Sequence, residues 1–428
     1  MDIYVYNPDL EQLGIIDQYK SLIWANRYKD LGDCELYVPA TEENLNLLQV
    51  GNYLRRLDDD MICLIKRREL STDVETGDYI TVTAQDAKCL LDQRIVNQLY
   101  ITKRTAYYFL THMITDFCID AGAKRSFKKS NGNALLALDS TSGAWDGCDI
   151  TASWENVGEK TREICDQFGY GYKAFLDDAN AIIKIKVYKG TDRSANVIFS
   201  DAFENLASTE HDDDATNMGN VFRVCGEGEG YSRTTILMGD SNIGIDRYEV
   251  YVDARDISRS MSGSDLKTNY PGEVAQDGSG NYYWKVDYLN IPIYTPEQLA
   301  ELQITHPGGA IITYSYKQYY QLRTANVATL SKSTLDDSDT VDVNDLIYLP
   351  FLYQRGAEKS YEYGRQKTFT GEISNVTFYY KEDYFLGDIV TVINAYGITA
   401  QARVIEVIEV DDNNGYRIEP TFEFRSVD

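Results

Sequence analysis

The run Gly226-Glu227-Gly228-Glu229-Gly230-Tyr231-Ser232-Arg233 comes nearest to a chemical motif in this chain. Glycines at that density let backbone amides close around a phosphate, provided a strand precedes the run and a helix follows it. Here two glutamates occupy the phosphate position and would repel it, and Thr234 to Met238 has the character of a strand. The run therefore fits a sharp turn or bulge between strands, with glycine chosen for its backbone freedom. Three acidic clusters, Asp58-Asp59-Asp60, Glu210-His211-Asp212-Asp213-Asp214 and Asp336-Asp337-Ser338-Asp339, carry the oxygen ligands that hard cations prefer. None has the EF-hand order of Gly at the sixth place and Glu at the twelfth, and solvated loops or turns are the simpler account.

The three histidines, His112, His211 and His306, form no pair at metal-ligand spacing, and no serine or cysteine sits in a nucleophile motif. Among 67 acidic residues no isolated pair stands out for glycoside hydrolysis. The sequence thus assigns no catalytic, cofactor-binding or metal-binding residue, and leaves open a triad assembled from distant positions, cation binding by the acidic loops and hydrolysis by unassigned carboxylates. Cys34, Cys63, Cys89, Cys118, Cys148, Cys165 and Cys225 are scattered singly. That is the usage of a protein folded in a reducing cytosol, where cysteine serves as a small apolar residue.

The 428 residues suffice for two to four domains, each with its own core. A net charge of -26 argues against a nucleic-acid binder held by phosphate contacts. No stretch has the length of an apolar membrane span, and the N-terminus lacks a basic region followed by an apolar run, so neither membrane insertion nor a signal peptide is expected. The 34 tyrosines suit large interfaces or sugar contacts, or half-exposed strand positions in a β-rich protein.

The element that organises the chain is Leu386 to Phe424. Tyr416, Ile418, Phe422 and Phe424 alternate with Arg417, Glu419, Thr421 and Glu423, the period of a strand with one face on a core. Asn413-Asn414-Gly415 before it supplies a hairpin turn, so three strands in meander order are expected. A weaker copy lies near the start: Val50-Gly51-Asn52-Tyr53-Leu54 parallels Leu386-Gly387-Asp388-Ile389-Val390, and Gly77-Asp78-Tyr79-Ile80 parallels Gly415-Tyr416-Arg417-Ile418. The reading is two related β-barrel modules; the alternative is that two three-stranded meanders match by chance.

Residues 1–100 read as strands, enough for a first small barrel, with a short helix at Asn44 to Leu48. From Thr102 the period becomes helical through Ala106, Phe109, Leu110, Met113, Ile114, Phe117 and Cys118, with Gly122 placed to end the helix. A second helix opens at Asn156 with Glu159 as capping partner, and a hairpin follows around Asp177 to Asn180. Residues 101–200 thus form an α+β module. Loop-rich residues 258–367, with a helix start at Thr295-Pro296 closed by Gln298 and anchored by Leu299 and Leu302, are expected as an insertion. Residues 201–257 are then expected to pair with 368–428 as the second barrel. The fold class is mainly β with α+β.

Gly226 to Gly230 followed by Arg233, Gly244-Ile245-Asp246-Arg247-Tyr248-Glu249, Val252-Asp253-Ala254-Arg255-Asp256-Ile257 and the opening Gly32-Asp33-Cys34-Glu35-Leu36-Tyr37-Val38-Pro39-Ala40 resemble the siphophage tail proteins of the central baseplate hub, the tail-associated (Tal-like) family. The resemblance implies two related barrels, an α+β domain between them and a domain inserted in the second barrel. It implies a non-enzymatic homotrimer at the virion tail tip, made and assembled in the host cytoplasm, whose paired barrels make a six-membered ring on the tail tube. Partners so implied are a distal tail protein or tail-tube ring, the tape-measure protein, receptor-binding or fibre proteins, and DNA in transient passage. Larger relatives continue past the second barrel, whereas this chain stops at Asp428, so lytic or receptor-binding work is expected of another protein. A carbohydrate-recognition protein and a cell-wall hydrolase are the rival readings.

Overall fold

A computed structural model describes the chain except residues 73–76, 98–99, 103–104, 142, 144, 146–149, 153, 240–241, 287–302, 306–310, 314–327, 374–376, 395, 398 and 425–428. The protein is mainly β with a few helices. Its N-terminal part comprises β1 (Ile3–Tyr6), β2 (Gln12–Ile16), β3 (Ser21–Arg27), β4 (Asp33–Pro39), α1 (Glu42–Leu47), β5 (Tyr53–Arg56), β6 (Ile62–Ser71) and β7 (Tyr79–Asp86). β7 alternates buried and half-buried side chains along its whole length, as a strand with one face on a core must. α1 begins where the Thr41 side chain accepts from Asn44 N, a conventional N-cap.

The expected central helices form. Thr105 caps α2 (Ala106–Ile114), the chain continues in a wide turn over Thr115–Ile119, and Gly122 follows at φ 87°. Asn156 caps α3 (Val157–Phe168) by accepting from Gly158 N and Glu159 N, and Gly169 closes it in the left-handed region. The hairpin Gly171–Asp177 with Ile182–Tyr188 packs with both helices in one apolar cluster that includes Phe109, Ile164 and Tyr172.

The strands Val221–Cys225, Thr235–Met238 and Glu249–Asp253 fall in the stretch that the sequence pairs with the C-terminal strands. Instead they join Gln303–Thr305 and Ile311–Thr313 in a separate five-stranded sheet. The long helix Asp345–Glu362 covers it, burying Tyr348 and Leu352 in a cluster with Val224 and Ile236. Alternation alone cannot assign a strand to one of two sheets, because both bury an equivalent face. The helix start expected at Thr295 lies outside the described residues.

The C-terminal part comprises Ile198–Ser200, Leu206–Asp214, Gln366–Ile373, Ile389–Ile393, Thr399–Asp412 and Gly415–Phe424, with Ile198–Ser200 paired parallel to Ile389–Ile393 beside the main order. They continue the same sheet as β1 to β7: Gln366–Ile373 pairs with Gly415–Phe424, that strand with Thr399–Asp412, and Thr399–Asp412 in turn with β3. The result is one 13-stranded sheet whose main order runs from Leu206–Asp214 at one end to β2 at the other, without closing among the described residues.

The two meanders share more than strand order. Gly51 N donates to Ile65 O and Ile65 N to Asn52 O; Gly387 N donates to Val404 O and Val404 N to Asp388 O. One extra residue follows in each, with register shifts between Ile65 and Arg67 and between Val404 and Glu406. The next pairs are Arg67 with Thr83 and Glu406 with Thr421. Gly51, Gly77, Gly387 and Gly415 stand at φ 96°, 93°, 93° and 108°, a conformation that a Cβ disfavours.

Candidate functional site

The seam where β3 meets Thr399–Asp412, from Arg27 opposite Glu406 to Ser21 opposite Asp412, joins the two halves of the sheet. A polar network is sealed against it. Arg56 of β5 is fully buried; its Nη2 donates to Asp58 (2.5 Å) and Glu409 (2.9 Å), and its guanidinium lies 5.6 Å from the centroid of Trp24. Glu409 also accepts from Tyr416 Oη (2.6 Å) and Lys381 (3.0 Å). Lys381 reaches Asp59 (2.6 Å), which accepts from Asn26 Nδ2 (3.0 Å) and Met61 N (2.8 Å). At the rim, Arg27 Nε donates to Glu406 (2.6 Å), and Tyr19 donates to Asp411 (2.5 Å).

Burial pushes the Glu409 carboxyl up, but Arg56, Lys381 and the Tyr416 hydroxyl outweigh it and hold it below its ordinary value. Burial works equally against the cations, yet their carboxylates keep Arg56 and Lys381 more firmly protonated than usual. Every charge in the network is therefore answered by an opposite one. Such a cluster adds little over an apolar filling, but losing one member costs about 3–5 kcal/mol, so it acts by fixing which strands meet and in what register. It offers neither a proton donor near neutrality nor a nucleophile.

A second lock lies nearby. Tyr28 Oη accepts from Gly190 N (3.2 Å) and donates to Gly169 O (3.2 Å), and burial pushes its hydroxyl up to about 12. A Cβ on Gly387 would stand 2.3 Å from the Tyr28 ring, so this glycine serves a close approach as well as a turn.

The residues singled out in the sequence serve the fold. Gly226 lies where a Cβ would stand 2.1 Å from Tyr348 Oη, and Glu227 N donates to that oxygen (2.8 Å). Arg233 folds back to Gly226 O (2.8 Å) and to Asp253 (3.1 Å), so the run is a braced turn between antiparallel strands. The three acidic clusters are not brought together. Asp58 and Asp59 enter the seam network, Asp336 and Asp339 bind Lys332, Asp337 binds Lys267, and Glu210 to Asp214 lie on the strand Leu206–Asp214. Among the described residues no group of His, Cys, Asp and Glu has metal-site geometry. His112 Nδ1 lies 2.9 Å from Tyr108 O in α2, and His306 falls outside the described residues. Sequence reasoning passed over Arg56, Lys381 and Glu409. Glu409 turns inward only because the bulge after Val404 resets the alternation, which no periodic count detects.

No helix among the described residues is long and apolar enough to cross a membrane. No curated protein matches the chain. Among solved structures, the 43 kDa tail protein of prophage MuSo2 from Shewanella oneidensis is 11% identical with a TM-score of 0.50, over 99% of this chain and 98% of that one. The tail protein from Neisseria meningitidis MC58 is 10% identical with a TM-score of 0.52, over 99% and 96%. These likenesses establish a fold shared with phage tail proteins. The model of the Siphovirus ReqiPepy6 Gp37-like protein family matches residues 2–422, and the chain belongs to that family.

Proposed function

We propose that the protein is a structural component of a siphovirus-type virion tail, a homotrimeric hub that closes the tail tip and adapts a six-fold tube to a three-fold end. The observation that carries this reading is the duplicated meander, with the same hydrogen bonds, bulge and glycine conformations in both halves of one sheet. Three chains with two such modules each present six similar units, the number a six-fold tube ring requires. The modules are barrel-like units at 1–100 and at 201–214 with 368–428, separated by the α+β part at 101–200 and interrupted by the insertion expected at 258–367. The five-stranded sheet favours extending that insertion back to about residue 215.

In this reading the hub contacts a distal tail protein or tail-tube ring and the tape-measure protein, carries receptor-binding or fibre proteins, and lets DNA pass without binding it specifically. The acidic balance suits such a lumen, since like charge limits sticking. Loops of the insertion close the channel before infection, because loops swing where paired strands do not. Native mass spectrometry tests the oligomer: three chains of 48.6 kDa are expected, and a stable monomer or dimer in the particle contradicts the hub.

A further inference from the structure

We propose that the strand Leu206–Asp214 of one copy adds to the outer half of β6 of the next, antiparallel, with Asp214 opposite Arg67 and Glu210 opposite Ser71. This names the contact between copies and rests on the reading of the protein as a closed assembly. The template is inside the chain. In the C-terminal meander the segment Glu406–Asp412 has two neighbours, Gly415–Phe424 on one side and β3 on the other. Its counterpart in the N-terminal meander starts at Arg67, because Arg67 and Glu406 each resume pairing just after the bulge. Among the described residues that counterpart pairs with β7 alone, and Arg67, Glu69, Leu70 and Ser71 are exposed. A strand edge left this way is a template for another strand.

The strand that should fill it follows from the same equivalence. Thr83 and Thr421 correspond; Thr83 faces Glu35, which faces Ile23 of β3, while Thr421 faces Thr370, which faces Glu210. Ile23 therefore corresponds to Glu210, and Arg27 to Asp214. Leu206–Asp214 stands at the end of the sheet order, where β3 would stand if it lacked the seam. Carrying the seam register over, Arg27 opposite Glu406 becomes Asp214 opposite Arg67, Asn26 opposite Val407 becomes Asp213 opposite Arg68, and Ile23 opposite Val410 becomes Glu210 opposite Ser71.

The charges agree with this register. The seam holds an Arg27–Glu406 ion pair at 2.6 Å, and the carried-over position holds the same pair with its signs exchanged between the strands. The basic pair Arg67-Arg68 thereby meets Asp213-Asp214, with Lys66 in the bulge just before pairing resumes. Asp213 already binds Arg365 of its own chain and keeps that partner beside Arg68. One like-charged pair, Glu69 opposite Asp212, is flanked by Arg67, which bonds Glu69 at 2.8 Å and lies diagonal to Asp212. A head-to-tail contact of this kind uses two different edges of each copy, so it closes into a ring when the rotation allows.

The test compares wild type, Arg67→Asp, Asp214→Arg and the double exchange by native mass spectrometry and sedimentation, with melting curves to verify folding. Each single reversal is expected to raise the concentration for half-assembly about tenfold or more, since it sets like charges opposite each other. The double exchange is expected to restore assembly. Independently, the pair Arg67→Cys with Asp214→Cys is expected to form a disulfide between copies on oxidation, the six described native cysteines being buried. A wild type that assembles while both reversals assemble equally well and the cysteine pair stays reduced overturns the strand pairing and leaves the hub reading standing. Cross-linked rings of a number other than three keep the pairing and overturn the trimer; a wild type monomeric at every concentration overturns both.

Discussion

Arg56 and Glu409 show why a charge deep in this sheet is a matter of register rather than of chemistry. Each has more than one partner, and the pair joins β5 to Thr399–Asp412 across the seam. Arg56→Leu leaves the buried Glu409 with only Lys381 and Tyr416, and a loss of up to about 3–5 kcal/mol is expected in denaturant unfolding, with much of it recovered in Arg56→Leu/Glu409→Leu. No recovery in the double variant would contradict the coupling. The same residue sets a pH dependence. The unfolded chain protonates Glu409 near the ordinary 4.5, the folded chain only at lower pH, so the stability it supplies is full above that value and is lost as pH falls through the depressed one. The gap in melting temperature between wild type and Glu409→Gln is therefore expected to be widest near neutrality and to narrow on acidification below about 4.5; a gap independent of pH would speak against it. None of this was legible in the sequence, where Glu409 is one acid among 67. The turn at Gly226 was, because two glutamates beside those glycines argue against phosphate from composition alone.

At the scale of elements, the signals that proved reliable are those with a local cause. Asn156 and Gly415 mark a cap and a turn through their own backbone chemistry, and each holds that role in the structure, whereas the helical segment before Gly122 ends on Asp120 and the glycine, at φ 87°, stands two residues beyond it. Strand partners were harder to read, since an apolar strand such as Val221–Cys225, with only Arg223 exposed, fits one sheet as well as another. The helix Asp345–Glu362 escaped notice because Pro350 and an aspartate-rich approach look like loop. The repeat gives a graded test. Gly51 and Gly387 have matching φ, but a Cβ on Gly51 meets nothing within 4 Å while one on Gly387 meets the Tyr28 ring at 2.3 Å. Gly51→Ala is expected to cost about 1–2 kcal/mol from backbone strain. Gly387→Ala is expected to cost clearly more in the same unfolding titration, and equal costs would mean that Tyr28 yields freely.

For the whole molecule, 26 net negative charges oppose assembly, so the contacts between copies that the hub reading requires must be specific enough to overcome that repulsion. On the hub reading the purified chain is expected to release neither sugar nor peptide from peptidoglycan; release abolished by one carboxylate substitution would instead favour a hydrolase. The most direct measurement is a cryo-electron microscopy map of the tail tip at a resolution that traces strands. The account predicts a three-fold ring in which the meanders of β5 to β7 and of Ile389–Phe424 alternate as six similar units around a channel with an acidic wall. A tip in which this chain is present as one or two copies, or in which the two meanders occupy unrelated positions, would contradict it.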